Sequence, residues 1–203
     1  REDLERYIGV DNVLRYLASN VALGSWDDYW YGSNNYYLYW NLDTERFEFI
    51  PYDYDNVLGI DFSGTNWATR HFEGWGDGGF GTSPAPLVDA VFSQSEWRRQ
   101  FRRYLLEGID ILRDPEYRAI LDRNHQLILP WFDGTIEDGG TTGTQSTSGQ
   151  HQWHFIGYNL PVSYQGGSFH THGIIPFMDQ RANTLEQQID DFFATPPLPT
   201  VRI

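Results

Sequence analysis

Apolar residues recur at helical spacing in several segments of the chain, and one stretch breaks this pattern with strand-like sequence. Near the N-terminus, Val13, Leu17 and Val21 lie four positions apart. This spacing places one apolar stripe on a helix over residues 2–22, and Gly24 is a typical residue for ending it. The stretch that follows is therefore expected to leave the helix and form a different element.

That next stretch predicts a β-hairpin. Residues 35–40 and 46–50 are rich in aromatic and branched side chains, which suit a half-buried pleated surface. Between them, residues 41–45 contain Asn, Asp and Thr, whose side chains hydrogen-bond nearby backbone and favour turns. We expect two antiparallel strands joined by a short polar turn.

Two pairs of acidic residues flank this hairpin in the sequence. Asp27 and Asp28 precede the first strand, and Asp53 and Asp55 follow the second. Because the two ends of an antiparallel hairpin are neighbours, these four carboxylates are expected to converge. Their mutual repulsion is relieved most readily by a divalent cation held by oxygen ligands, so the pattern predicts a Mg²⁺ or Ca²⁺ site. The alternative is that the acids only cap the hairpin and form a polar turn.

The rest of the chain is predicted to be mainly helical, with two irregular segments. Residues 60–83 are rich in glycine and show no sustained period, whereas apolar residues at helical spacing over 84–132 predict three helices. Residues 133–172 are polar and low in complexity, which favours a flexible insertion over a second domain. A last helix is expected from Pro176. The predicted fold is α+β in one domain over residues 1–203.

Two further patterns have a functional and a plain interpretation. Gly74, Gly76 and Gly79 spell G-x-G-x-x-G, but no convincing strand precedes them and Asp77 adds a charge of the wrong sign for phosphate. We therefore expect a glycine-rich loop here. Four arginines within residues 98–103 lie on one predicted helix and suit either an acidic ligand or, as we favour, a solvated face that balances an acidic protein.

The charge of the chain limits its partners. There are 28 acidic and 14 basic residues, for a net charge of −14. This balance disfavours nucleic acid and anionic membranes as partners, because both require a positive face. It does not disfavour ATP, whose phosphates arrive with Mg²⁺. No apolar run approaches the roughly 18 residues of a membrane span and no signal peptide is evident. The chain begins abruptly in helix-like sequence, so we expect a fragment of a longer protein.

Several motifs in one order resemble the kinase-like family of spore coat protein H (CotH). The segments are YLASNVALGSWDDY, NNYYLYW and FEFIPYDYDNVLG, with FMDQRANTLEQQI near the end of the chain. In that family a helix, an acidic turn, an Asn-Tyr-Tyr-Leu-Tyr strand and an Ile-Pro-aromatic-Asp-x-Asp strand end follow one another. The resemblance is best over residues 10–60 and weaker over 84–132 and 175–193.

The resemblance implies the C-terminal lobe of an atypical protein kinase, mostly helical, with a small β-hairpin at its active edge. Such a transferase moves the γ-phosphoryl group of ATP to Ser or Thr of an extracellular, coat or surface protein, with Mg²⁺ or Mn²⁺. Asp27 would be the acid that orients the acceptor hydroxyl, with Asp28 as the alternative. Asn35 and Asp53 would hold the metal and the cofactor, and Asp55 would assist them.

Three features depart from the family or kinase pattern. Asn35 follows Asp27 at a wider spacing than in the kinase catalytic loop, with Asn34 as the alternative amide, and Tyr52 stands where a tryptophan is expected. The chain contains no lysine, so all its basic residues are arginine and the phosphate-binding lysine of kinases is missing. In kinases that lysine belongs to the N-terminal lobe. The chain is therefore expected to lack most of that lobe.

Two other functions are compatible with the composition. The first is a non-catalytic module of a coat, adhesin or scaffold, whose acids bind Ca²⁺ structurally. The second is a carbohydrate-associated domain, which would use some of the eight tryptophans and thirteen tyrosines to stack on sugar faces. Aromatic residues within helical stripes and hairpins mostly belong to the core, so the second function is the weaker of the two.

Overall fold

The structure is a computed structural model, and it describes residues 2–61, 64–79, 85–132, 137–138, 141–142, 158–159, 164–166 and 169–194. The helices are α1 Glu2–Tyr7, α2 Val10–Leu23, α3 Pro86–Phe92, α4 Ser95–Arg113, α5 Pro115–Phe132 and α6 Ile174–Ala194. The strands are β1 Tyr36–Asn41, β2 Arg46–Pro51, β3 Glu137–Asp138, β4 Thr141–Thr142, β5 Tyr164–Gly166 and β6 Phe169–Thr171. They form three separate two-stranded antiparallel sheets. The α+β prediction is confirmed.

Helices α2, α4 and α6 pack on one another and enclose the core. Their apolar stripes are fully buried, as at Leu17, Leu105 and Leu185. The predicted N-terminal helix is divided in two, because the chain leaves α1 at Ile8 and re-enters a helix after Gly9. Gly24 ends α2 in a left-handed conformation, with φ 73°. Its N–H donates to the carbonyls of Asn20 and Val21 in the last turn of the helix.

The β1–β2 hairpin packs against α2 through a single buried ring. Phe49 is 3% exposed, and its ring lies 5.0 Å from that of Tyr16 on α2. The side chain of Asn12 bonds the backbone of Phe49 at both ends, donating to its carbonyl at 3.3 Å and accepting from its N–H at 2.6 Å. The pairing register runs from Tyr36 opposite Pro51 to Asn41 opposite Arg46. The predicted strands are thus confirmed to within one residue.

The glycine-rich segment 64–79 has no regular secondary structure, as predicted, but its aromatic residues belong to the main core. Trp67, Phe72 and Trp75 are each at most 1% exposed. A Cβ added to Gly79 would lie 2.1 Å from the backbone oxygen of Tyr31. Glycine is needed there for close packing, which accounts for part of the G-x-G-x-x-G pattern without any phosphate.

Arg181 of α6 joins this loop to the end of α2. Its guanidinium is completely buried, donates to the carbonyls of Val21 at 2.9 Å and of Arg70 at 2.7 Å, and lies 4.8 Å from the ring of Trp75. Burial, and repulsion from Arg70, lower its pKa to about 9. The negative C-terminal end of α2 and the face of an indole stabilise this cation in place of a carboxylate.

Within residues 133–172 the structure describes four short strands that the sequence analysis did not predict. Strand β3 pairs with β4, and β5 pairs with β6. Tyr158 is buried against α5, where its ring stacks 4.1 Å from His125 and its hydroxyl donates to Asp122 at 2.9 Å. Among the helices of the described part of the chain, none has the length and apolar character needed to cross a bilayer.

Candidate functional site

The acidic turn between α2 and β1 is folded back on itself. The backbone carbonyl of Asp28 accepts hydrogen bonds from the N–H groups of Gly32 and Asn34, both at 3.0 Å. This arrangement brings the residues just before β1 back beside the acids that follow α2. The turn is therefore a compact unit that holds Asp27, Asn34 and Asn35 together.

Asp27 is partly exposed and is held by two side-chain amides. Asn34 donates to its Oδ1 at 3.1 Å, and Asn35 donates to its Oδ2 at 2.9 Å. The backbone oxygen of Asn35 accepts from the N–H of Tyr52 at 3.2 Å, which continues the hairpin register by one step. Asp53 follows directly, so the base of the hairpin brings Asp27, Asn35 and the start of the 53–56 segment into one neighbourhood.

Asp28 is in a different environment from its neighbour. Its side chain is 2% exposed, accepts from Asn20 Nδ2 at 2.8 Å and accepts from the N–H of Tyr31 at 2.9 Å. Burial raises the pKa of Asp28 to about 6, although the hydrogen bonds from Tyr31 and Asn20 oppose that shift. The two acids that the sequence left as alternatives are thus separated by the fold: Asp27 faces the surface and Asp28 lies in the core.

The buried amide of Asn20 was missed by the sequence analysis. While its nitrogen donates to Asp28, its oxygen accepts from the hydroxyl of Tyr54 at 2.6 Å. The side chain of Asn20 therefore connects Asp28, which follows Asp27, with Tyr54, which follows Asp53. Burial, and the charge of Asp28, raise the pKa of Tyr54 to about 12, so this hydroxyl stays protonated and donates. The sequence contained one signal for this role: Asn20 lies on the buried side of α2, where an apolar residue is expected.

The four carboxylates do not form one cluster, and this part of the prediction is wrong. Among the residues that the structure describes, no group of three or more His, Asp or Glu side chains is placed to hold a metal ion. The physical reason is the burial of Asp28, which turns to Asn20 and the Tyr31 N–H. Asp53 and Asp55 are exposed in the segment that follows β2 at the base of the hairpin.

Left-handed backbone is concentrated at this site. Among non-glycine residues, Ser33, Asn35 and Asp53 have φ of 54°, 52° and 54°. Asn and Asp adopt this region more readily than most residues, because their short polar side chains bond the local backbone. Uncommon dihedrals of this kind cluster where a side chain has to be aimed at a ligand. Two of the three residues predicted to hold a metal, Asn35 and Asp53, thus share the same special conformation.

The chemistry of the donor set fits Mg²⁺ better than Ca²⁺. Asn35 uses its amide nitrogen on Asp27, so its Oδ1 is the atom that a cation would take, and Asp53 offers an exposed carboxylate. Mg²⁺ commonly uses one or two protein oxygens together with substrate phosphates and water, whereas Ca²⁺ requires about six to eight oxygens. Two ligands at the hairpin base are sufficient only for the first arrangement.

Comparison with known proteins agrees with the motifs. A family model described as CotH kinase protein matches residues 1–160. Inner spore coat protein H of Bacillus subtilis is 32% identical over 144 residues, which cover 68% of this chain and 37% of that protein. Invasin CotH3 of Rhizopus delemar is 20% identical over 215 residues, covering 97% of this chain and 33% of that protein.

The chain spans about a third of the length of these two relatives. No solved structure is significantly similar to it. The family match nevertheless extends over residues 1–160, which include α2, the acidic turn, the hairpin and the segment that contains Asp53. The chain belongs to the CotH kinase protein family.

Proposed function

We propose that this chain is the C-terminal-lobe part of an atypical protein kinase, which transfers the γ-phosphoryl group of ATP to Ser or Thr of a protein. The observation that carries the proposal is the base of the hairpin, where Asp27 holds the amides of Asn34 and Asn35 beside the segment of Asp53. Phosphoryl transfer requires an acid, an amide and a carboxylate in such an arrangement, since positioning and electrostatics supply most of the catalysis.

In this proposal each residue has one task. Asp27 accepts a hydrogen bond from the acceptor hydroxyl and orients it towards the γ-phosphorus, while Asn34 and Asn35 fix the carboxylate in place. The Oδ1 of Asn35 and the carboxylate of Asp53 would hold Mg²⁺ or Mn²⁺, and Asp55 would assist. The bound cation would neutralise charge on the phosphate oxygens. Asp28 is assigned to positioning, because its carboxyl group is buried and occupied by Asn20 and the Tyr31 N–H.

The relatives support a coat or surface location. One carries a spore coat name and the other is named an invasin. We propose that this chain acts on a protein of such a surface. The absence of lysine means that another segment or an arginine must contact the phosphates, and the planar fork of arginine is not equivalent to an ammonium group.

Transfer of labelled γ-phosphate from ATP to a Ser/Thr-rich acceptor tests the proposal. Replacing Asp53 with alanine removes a metal ligand and is expected to lower the rate by at least about a hundredfold, as is usual for such electrostatic groups. Asp43→Ala is the matched control, because Asp43 is an exposed acid in the turn at the other end of the same hairpin. Turnover of Asp53→Ala equal to that of Asp43→Ala would refute the assignment.

A further inference from the structure

A small pocket lies between the glycine-rich segment 64–79 and helices α3 and α4. Its volume is about 240 Å³, and it is lined by Phe72, Glu73, Phe92, Arg98, Phe101 and Arg102. Pockets that enclose a drug-sized ligand start at about 300 Å³. This pocket is therefore of a size for one large side chain, and none of the acids of the candidate site lines it.

The wall of the pocket is aromatic. The ring of Phe101 lies 4.9 Å from that of Phe92 and 6.2 Å from that of Phe72, at tilted angles. Trp30 packs behind them, with its ring 5.3 Å from Phe92. Aromatic rings attract one another in tilted and edge-on arrangements at these separations. An aromatic side chain that entered the pocket would extend a cluster that already exists.

The rim of the pocket is positive although the protein is strongly acidic. Arg98 and Arg102 lie one helical turn apart on the same face of α4, opposite Glu73. Arg102 is 4% exposed and its Nη2 lies 2.6 Å from the carboxylate of Glu73, which is half exposed. Four of the 14 arginines lie within residues 98–103, in a chain of net charge −14. The rim thus carries two positive groups and one negative group.

We propose that this pocket is a docking site for an acidic protein segment, with an aromatic side chain against the phenylalanines and a carboxylate on the exposed Arg98, while the buried Arg102 keeps its pair with Glu73. Charge complementarity favours this occupant, because Arg98, Arg99 and Arg103 are exposed on α4 in a chain of net charge −14 and attract an acidic segment to this helix. Aromatic residues that fill a pocket carry most of the affinity in such contacts. The site is independent of the proposed phosphoryl transfer.

Binding of a fluorescein-labelled peptide, with one tryptophan between two runs of three glutamates, tests the site by fluorescence anisotropy on the whole chain. Arg98→Glu is expected to weaken binding at least tenfold. Arg99→Glu is the matched control, because Arg99 is also exposed on the same helix but lies about 100° around its axis. Twofold weakening at most is expected. Glu73→Gln removes the competing carboxylate and is expected to tighten binding severalfold.

Four results would overturn the proposal. Equal losses in Arg98→Glu and Arg99→Glu would indicate diffuse attraction to the helix and no defined site. Equal binding of a peptide without the tryptophan would exclude the aromatic pocket, and equal binding of a lysine-flanked peptide would exclude charge recognition. Tighter binding of a single-stranded oligonucleotide than of the acidic peptide would assign the arginines to nucleic acid. The variants are all surface changes, so circular dichroism serves to verify that each is folded.

Discussion

Two adjacent residues of the same type, Asp27 and Asp28, have opposite environments in this fold. Asp27 is partly exposed and accepts bonds from two side-chain amides, whereas Asp28 is buried and accepts from Asn20 and a backbone N–H. The difference follows from the direction in which the turn leaves α2. A sequence pattern identifies the pair, but only the packing decides which carboxylate reaches a substrate.

The buried side-chain amide of Asn20 is predicted to stabilise the folded state, because it bonds both Asp28 and Tyr54. Asn20→Leu leaves the carboxyl of Asp28 and the hydroxyl of Tyr54 without their partner, and each lost bond of this kind costs about 1–3 kcal/mol. We expect the free energy of unfolding to fall by about 3 kcal/mol, measured by urea denaturation. Ser19→Ala, an exposed neighbour on α2, should change it by less than about 0.5 kcal/mol. A similar small change in Asn20→Leu would contradict this role.

The raised pKa of Asp28 predicts a stability that decreases with rising pH. The folded protein has a pKa of about 6 for this group, above its usual value of 3.8, so the folded state binds the proton more tightly than the unfolded state. This contribution to stability is complete below about pH 4 and is lost as pH rises through 6. Relative to Asp28→Asn, which cannot ionise, the wild type should lose about 2 kcal/mol between pH 4 and 7.

The measurement is a set of urea unfolding curves for both proteins at several pH values. Taking the difference between them cancels the titration of the other acidic groups. A difference that stays constant over this range, or that grows in favour of the wild type as pH rises, would show that Asp28 is not buried as a carboxyl group in the folded state.

At the scale of elements, the β1–β2 hairpin is held by few contacts, which include the pairing of Ile8 and Gly9 with Phe47. Phe49 is its buried ring, and Asn12 is the side chain of α2 that bonds its backbone. The outer side of the hairpin is largely exposed, with Tyr37, Ile50 and Tyr52 between 43% and 57% accessible. A two-stranded hairpin is marginal on its own in water, so its position over the site depends on these contacts, of which Phe49 buries the most apolar surface.

Phe49→Ala is predicted to detach or destabilise this element. Removing a buried phenylalanine ring costs about 3–5 kcal/mol, because the loss of transfer free energy is accompanied by a cavity. Thermal or urea unfolding measures the loss. Ile50→Ala, the neighbour on the exposed side, is the control and should cost less than about 1 kcal/mol. Equal costs for the two variants would mean that the hairpin is not anchored through Phe49.

The main elements could be predicted because their signals are local. The apolar stripe of α2 and its end at the left-handed Gly24 each depend on a few neighbouring residues. The break between α1 and α2 at Ile8 and Gly9 could not be predicted, because it depends on a pairing with Phe47 in a distant strand. Burial of Trp67 and Trp75 in a glycine-rich loop likewise depends on partners far along the chain.

At the scale of the whole molecule, α2 is the element that assembles the site. Its C-terminal end receives Arg181 from α6, its buried face carries Asn20, and its N-terminal half holds the hairpin through Asn12. The sequence identified the residues at the base of the hairpin and the family. It could not predict that Asp28 turns away from the other three acids, because its buried partner, Asn20, is a tertiary contact.

The most direct measurement is the thermal unfolding of the chain with Mg²⁺ and ATP, at constant ionic strength, beside the variants Asp53→Ala and Asp43→Ala. A ligand present at about 100 times its dissociation constant stabilises the folded state by about 2.7 kcal/mol, or roughly 5–10 °C for a chain of this size. We predict that Mg²⁺ with ATP raises the melting temperature of the wild type and of Asp43→Ala, but not of Asp53→Ala. The same rise in Asp53→Ala, or a rise with Ca²⁺ alone and none with nucleotide, would contradict the proposed phosphoryl-transfer site.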